Sequence, residues 1–536
     1  MTHLLSLPRL LRRFAAPVLA LGLSPLPSPA QIPLNATAKA AAFGSPLTPT
    51  TSAAPATSSL PLSGSSALSQ KEAGEKADEA PAQNEAFTLA DLLIMVGENH
   101  PVARQAALQP ERARQEVRQA RGLFDPAAES KFYRKEFGGK DYWNLWDNTL
   151  RVPTWYGPDV KLGYERNVGP RVSEQNATPG PGLTYVGLSL PLAQGLLIDE
   201  RRAAVRQAQA LQGLAEAERR AALNKLLLAA TKDYWNWTLS FERRRLLQSN
   251  LELADIRYRA VRERVRQGDM AAIDSVEALT ELQNRRAQLV QGEVEWQNAT
   301  LLLSNYLWDA QQRPRELPAT LQPQPLPSAA AWQAPPVVPL EELVLQARQQ
   351  HPELLKARAK LGALDVERRL YQNKLLPKLT VDYNLLLTGR PYDAEAGYGP
   401  TPVYQNNYKL GVSFAYPLLL RQERSKLQLT RLKIRDANLG LDQIGREIAT
   451  GVRTTANDRQ ALAQQLEVQA QVVANSQRLR DGEQIRFENG ESSVFLLNSR
   501  ESYLLTARIK LAELQAKYAQ TQASLRFAAG GAPVAE

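Results

Sequence analysis

Few side chains in this sequence have the type and spacing for covalent or metal chemistry. Histidine occurs three times, at His3, His100 and His351, and cysteine does not occur. Disulfides, thiolate metal sites, Cys nucleophiles and a lipid-modified N-terminal Cys are therefore excluded. His100 and His351 each precede a proline inside a helical pattern. Two imidazoles could in principle share a metal, but the same His-Pro context in two separate helices favours a local role for each. The carboxylates bring no Ser-His-Asp set, no metal-ligand spacing and no phosphate loop, so a hydrolase built on clustered carboxylates has little to carry it. No catalytic residue, metal or cofactor is expected.

Net charge is +10, from 65 basic and 55 acidic residues that interleave along the chain. Such mixing marks solvated helix faces rather than a nucleic-acid surface, and no nucleic-acid partner is expected. The first 30 residues read as a secretory signal, with Arg9, Arg12 and Arg13 ahead of the apolar stretch Phe14 to Leu23 and with Ser28-Pro29-Ala30 as small cleavage-type residues. No later segment offers the ~20 consecutive apolar residues of a membrane helix. The remaining routes are a periplasmic protein or a barrel, whose strands give a weak hydropathy signal. Residues 31–84 are rich in Pro, Ala, Ser and Thr and read as a disordered leader.

What must position any functional residue is a duplicated unit. A Pro-rich connector at 313–339 separates a first repeat, 85–312, from a second, 340–530. Asn99-His100-Pro101 answers to Gln350-His351-Pro352, and Phe124-Asp125-Pro126 to Leu375-Leu376-Pro377. The run from Tyr185 to Leu192 answers to that from Lys409 to Leu418, and Gln267-Gly268-Asp269 to Asn489-Gly490-Glu491. In each half a helix comes first (Leu89 to Gly122; Leu340 to Leu375). A β-like region follows (126–191; 377–417), then a long helix pair (199–308; 424–528) reversed at a glycine.

The long helices carry coiled-coil spacing. Leu251, Ala254, Tyr258, Val261 and Val265 alternate steps of three and four, as do Leu504, Ala507, Leu511, Leu514 and Tyr518. Ala208, Ala215, Ala222 and Ala229 suit close helix packing. A helix from Asp199 to Gln267 would be roughly 100 Å long. It needs neighbours to bury its stripe. The β-like regions crowd with aromatics, among them Tyr133, Trp143, Trp146 and Tyr164 in the first and Tyr383, Tyr408 and Tyr416 in the second. Alternating strands with aromatic ends suit a transmembrane barrel, although a soluble hairpin would satisfy the same pattern.

In this order, and duplicated, these features resemble the outer-membrane efflux protein family of which TolC is a member. The marks are His100-Pro101 with His351-Pro352-Glu353-Leu354, the strand-Pro-Leu-helix entries after Ser189 and Ser413, and the glycine-led helices from Gly268 and Gly490. The resemblance implies a mainly α protein with a membrane β-barrel part. It would be a homotrimer with four strands per chain in a shared 12-stranded barrel above a long α-helical periplasmic tunnel. It also implies a passive outer-membrane channel of a tripartite efflux or type I secretion system, lying in outer-membrane lipid. Its partners would be a periplasmic adaptor (membrane fusion) protein and an inner-membrane transporter. The competing reading is a periplasmic coiled-coil scaffold without a pore. Strands that cannot close a barrel alone leave open edges in lipid, which favours oligomerisation. The longer stretch from Pro153 to Thr178 is expected to form an external loop or an extra hairpin.

By the same resemblance the periplasmic tips, Gln267, Gly268, Asp269 and Met270 with Asn489, Gly490, Glu491 and Ser492, would dock the adaptor. Asp274 matches an acidic position of the family, and Asp274 and Glu277, with Asp269, could ring an entrance in a trimer. The alternative for each is a solvated helix-face carboxylate. The second tip has no carboxylate from Val494 to Ser499. Phe495 and Leu496 are expected to narrow the entrance sterically instead. Arg201, Arg202, Arg421 and Arg424 open the long helices against the helix dipole. They are expected at the membrane boundary, facing lipid phosphates or partner carboxylates.

Overall fold

The computed structural model describes residues 86–318, 320–333, 338–388 and 407–532. The expected signal and leader lie outside them. Each half begins with two helices where one of about 35 residues is expected from sequence: α1 (Leu89–Asn99) and α2 (Pro101–Arg121) in the first. The second half has α6 (Leu340–Gln350) and α7 (Pro352–Asn373). The break falls on the histidine, where the following proline disfavours the α region, although Gln109 ahead of Pro110 stays helical within α2. His100 and His351 take ψ 134° and ψ 128°. Each imidazole then caps the following helix: Nδ1 of His100 accepts from the Val102 N–H at 3.2 Å, and Nδ1 of His351 from the Glu353 N–H at 3.2 Å. Proline at the first helical position loses nothing by lacking an N–H.

Between α2 and the first long helix lie β1 (Ala127–Phe137), β2 (Lys140–Pro153), β3 (Asp159–Val168) and β4 (Leu183–Pro191). The second half adds β5 (Lys378–Thr388) and β6 (Tyr408–Ala415). All six form one antiparallel sheet in the order β1-β2-β3-β4-β5-β6. This corrects the expectation of four strands per chain. The extra hairpin is β1–β2, ahead of the stretch from Pro153 to Thr178 where it was expected. That stretch instead holds a short turn at 154–158, β3, and the start of the β3–β4 loop.

The sheet continues directly into α3 (Glu200–Arg266) and its return α4 (Ala272–Ser304). It likewise continues into α8 (Arg421–Glu488) and its return α9 (Val494–Ala528). The coiled-coil stripe is buried or half-buried at every named position from Leu251 to Val265 and from Leu504 to Tyr518. Of the expected packing alanines Ala215 is buried, Ala208 and Ala222 are half-buried, and Ala229 is exposed in the single chain. α2 packs on α3 as α7 packs on α8, and α3 also touches α7 and α9, which joins the two repeats.

The largest core lies midway along α3, where Tyr234 and Trp237 meet Leu92 and Val96 of α1 and Leu303 of α4. Tyr234 donates to the Phe87 carbonyl at 2.6 Å and accepts from the Gln324 N–H at 3.2 Å. One phenol thus ties the start of the repeat to the connector that ends it. α6 repeats the arrangement, with Val344 and Ala347 against Val452 and Leu525. No described helix is long and apolar enough to cross a membrane.

Burial lowers the pKa of both capping histidines, and only the neutral ring can accept at Nδ1. The folded state therefore binds fewer protons, and its stability falls as pH drops below about 6.5, the ordinary imidazole value. Thermal midpoints between pH 7.5 and 5.5 should fall less in the His100→Asn, His351→Asn double variant, since Asn caps without titrating at about the same ~1 kcal/mol per cap. Equal slopes for both proteins would contradict this role.

Candidate functional site

Both long helices end in the same hydrogen-bond pattern. Gly268 donates to the Val265 carbonyl at 3.1 Å and Asp269 to that of Arg264 at 2.9 Å. Gly490 donates to Phe487 at 3.1 Å and Glu491 to Arg486 at 2.8 Å. This crossed pair of bonds requires a left-handed residue, and φ is +85° at Gly268 and +81° at Gly490. Nothing lies within 4 Å of where a Cβ would sit at either glycine. The constraint there is one of backbone conformation and not of space.

The tips then differ in how the returning helix starts. At the first, Asp274 turns its carboxylate back to accept from the Ala271 N–H at 3.2 Å. At the second, the Ser493 hydroxyl accepts from the Leu496 N–H at 3.2 Å. One Asp274 oxygen thus caps the start of α4. Glu277 lies one turn on, half-buried, and its pKa is raised by burial and then by the neighbouring Asp274 and Glu281. Gln267, Gly268, Asp269, Asn489, Gly490 and Glu491 are exposed. Met270 is half-buried, and Ser492 donates to Glu483 at 2.6 Å. Phe495 is 67% exposed, while Leu496 is half-buried.

The two tips of one chain lie side by side. Val494, wholly buried, packs on Val261 and Ala278, with Tyr258, Met270 and Phe487 around them. Behind this apolar contact are two cations that the sequence did not single out, Arg285 buried and Arg257 half-buried. Arg257 of α3 donates to Asn498 at 2.8 Å and forks onto both Glu501 oxygens, all on or reaching α9. Arg285 of α4, 3% exposed, donates to Glu281 at 2.6 Å and to Ser502 at 2.7 Å. Each helix of the first pair thus holds the last helix of the second by a charge-assisted bond.

At the other end of the long helices, the cations take carboxylates and carbonyls of the same chain. Arg202, 4% exposed, donates to Asp199 at 3.1 Å and to the Leu196 carbonyl at 2.8 Å, and also to the Gly195 carbonyl. Arg201 bonds Asp199 and Asp159, and Asp159 also takes Arg151. Burial pushes the Asp199 carboxyl up, but the Arg202 N–H and guanidinium and the Arg201 charge outweigh it and leave its pKa low. Lipid phosphate is not needed to compensate Arg201 and Arg202, whereas Arg421 and Arg424 are exposed. Among the described residues no group of three or more His, Asp or Glu is placed to hold a metal.

The sequence model for outer membrane efflux proteins matches residues 154–307 and 343–531, more than half of the chain. The protein belongs to the outer membrane efflux protein family. That family is one of outer-membrane efflux channels. Its fold is similar to the open state of the Neisseria gonorrhoeae MtrE outer membrane channel, with a TM-score of 0.60 and 16% identity over 83% of this chain and 89% of that one. It is also similar to the Campylobacter jejuni CmeC outer membrane channel (TM-score 0.55, 15% identity, 85% and 90% covered). The Vibrio cholerae outer membrane protein VceC gives a TM-score of 0.56 at 15% identity, covering 83% and 96%. No curated protein matches the sequence. The β1–β2 hairpin precedes the first residue of the family match.

Arg257→Ala leaves Glu501 buried without its partner and should lower stability by about 3–5 kcal/mol. The Arg257→Ala, Glu501→Ala double variant should recover part of that loss in denaturant melts. Additive losses would mean that the pair is not coupled.

Proposed function

We propose that the chain forms the outer-membrane channel of a tripartite efflux or type I secretion system. Three copies would close one barrel and one helical tunnel. A periplasmic adaptor would dock on the tips, and an inner-membrane transporter would deliver substrate for passive passage to the exterior. The channel performs no covalent chemistry.

The observation that carries this reading is the two-faced sheet. Register places Ala128, Leu150, Leu162, Val186, Leu385 and Tyr408 in one row across all six strands. The adjacent row on the opposite face contains Arg151, Lys161, Gly187, Asn384 and Lys409. Apolar outside and polar inside is the pattern of a membrane barrel with an aqueous lumen. A scaffold without a pore has no use for a sheet of which one face exposes Leu150, Leu162, Val186 and Tyr408 to solvent. Family membership supports the adaptor and transporter as partners. The exposed, geometrically matched Gly268 and Gly490 turns supply two similar docking points per chain.

Two tests follow from this. Leu385→Arg, on the apolar face, should cost about 2–4 kcal/mol and reduce folded protein in the outer membrane. Its neighbour Asn384→Arg, on the polar face, should insert normally; equal damage from both would exclude a lipid-facing side. For the tips, Gly490→Asn should keep export, because Asn tolerates the left-handed conformation. Gly490→Val should weaken export of a pump substrate several-fold with membrane assembly intact. Unchanged export in Gly490→Val would remove the docking role.

A further inference from the structure

We propose that the edge strand β1 pairs with β6 of a second copy of this chain, so that three six-stranded sheets close as one 18-stranded barrel. This rests on the trimeric-channel reading above and specifies which edges meet. A 12-stranded barrel needs four strands per chain, with β3 as the closing edge and the β1–β2 hairpin outside the ring.

The contacts of the hairpin argue that it is a barrel wall and not an appendage. β2 is paired with β3 from Asn144 to Pro153. On the polar face the Tyr185 hydroxyl of β4 reaches over β3 to the Thr149 hydroxyl of β2 at 2.6 Å. It passes above Gly163, where any Cβ would collide with the Tyr185 ring. Arg151 of β2 and Asp159 of β3 form an ion pair on that face. On the other face Trp146 of β2 stands edge-on to Tyr164 of β3 at 6.1 Å, and its indole N–H donates to Ser130 of β1. Closing on β3 would break all of these together with the β2–β3 ladder. The apolar row described above also runs without interruption from β5 and β6 through β1.

Direction fits as well. β1 leaves the α2 end of the sheet, and β6 returns to the start of α8. A β6-to-β1 junction between copies is therefore antiparallel, like every other pair in the sheet. The hairpin adds two strands, so the chain still enters and leaves the sheet on the helical side and the total stays even. Barrel diameter grows roughly linearly with strand number, so the pore would be about half as wide again as a 12-stranded one.

The chain has no cysteine, so introduced pairs report cleanly. Glu129 on β1, Glu165 on β3 and Lys409 on β6 share the polar face. Full-length Glu129→Cys, Lys409→Cys protein, treated with a flexible bis-maleimide in outer membranes, should give a ladder of linked dimers and trimers on denaturing gels. Glu165→Cys, Lys409→Cys protein should give no intermolecular ladder. A ladder from the second pair and none from the first overturns the proposal, as does no ladder from either in a protein that still runs as a trimer unheated. Protein that never forms trimers, with or without the linker, would overturn the assembly reading itself.

Discussion

An unpaired backbone N–H or C=O in hydrocarbon costs several kcal/mol, and this sheet ends in two open edges. Among the described residues no strand pairs with the outer edge of β1 or of β6. The edges define the molecule as an incomplete object, and the rest of the structure follows from completing it. Both faces of the sheet are already specified by side-chain alternation, so in the proposed ring the apolar row would face outward. Because every chain enters and leaves the sheet on the same side, all the long helices hang from one rim. The proposed three-fold closure would turn six strands and two helix pairs per chain into a wall and a tunnel.

Helices of 67 and 68 residues impose the second requirement. They need lateral partners along their length and a sharp reversal at the far end. The reversal is the same left-handed glycine at both tips. Lateral packing is apolar over most of the length and becomes partly ionic near the tips, where Arg257 and Arg285 hold α9. Removing one partner of such a pair would leave the other charge uncompensated between helices. The position of these pairs close to the tips sets the relative height of the two exposed turns, which is what a docking partner would have to match.

Much of this was legible in the sequence because it is written in repeats and periods. The duplicated His-Pro, Gly and strand-Pro marks gave the order of elements. The three-four spacing gave helix pairs that end within a few residues of their observed bounds. The helix break at His100 and His351 was also signalled, since each precedes a proline, but the apolar periodicity runs across the break and hides it. Strand number was harder. β1 is exposed along its whole length and mixes Lys, Arg and Glu with Phe and Tyr, so it lacks the clean alternation of β5 and β6. These two cations were not legible at all: Arg257 and Arg285 sit among many arginines on helical faces, and only the partner helix distinguishes them. Asp274 adds a local role that its position did not announce, since one of its oxygens accepts from the start of its own helix.

The proposed channel depends on completion of the open sheet by other copies of the same chain. The mass of the particle extracted from outer membranes in mild detergent, measured by native mass spectrometry, tests this directly. Three mature chains per particle is the result required. A single chain, or release as a monomer without detergent, would contradict it.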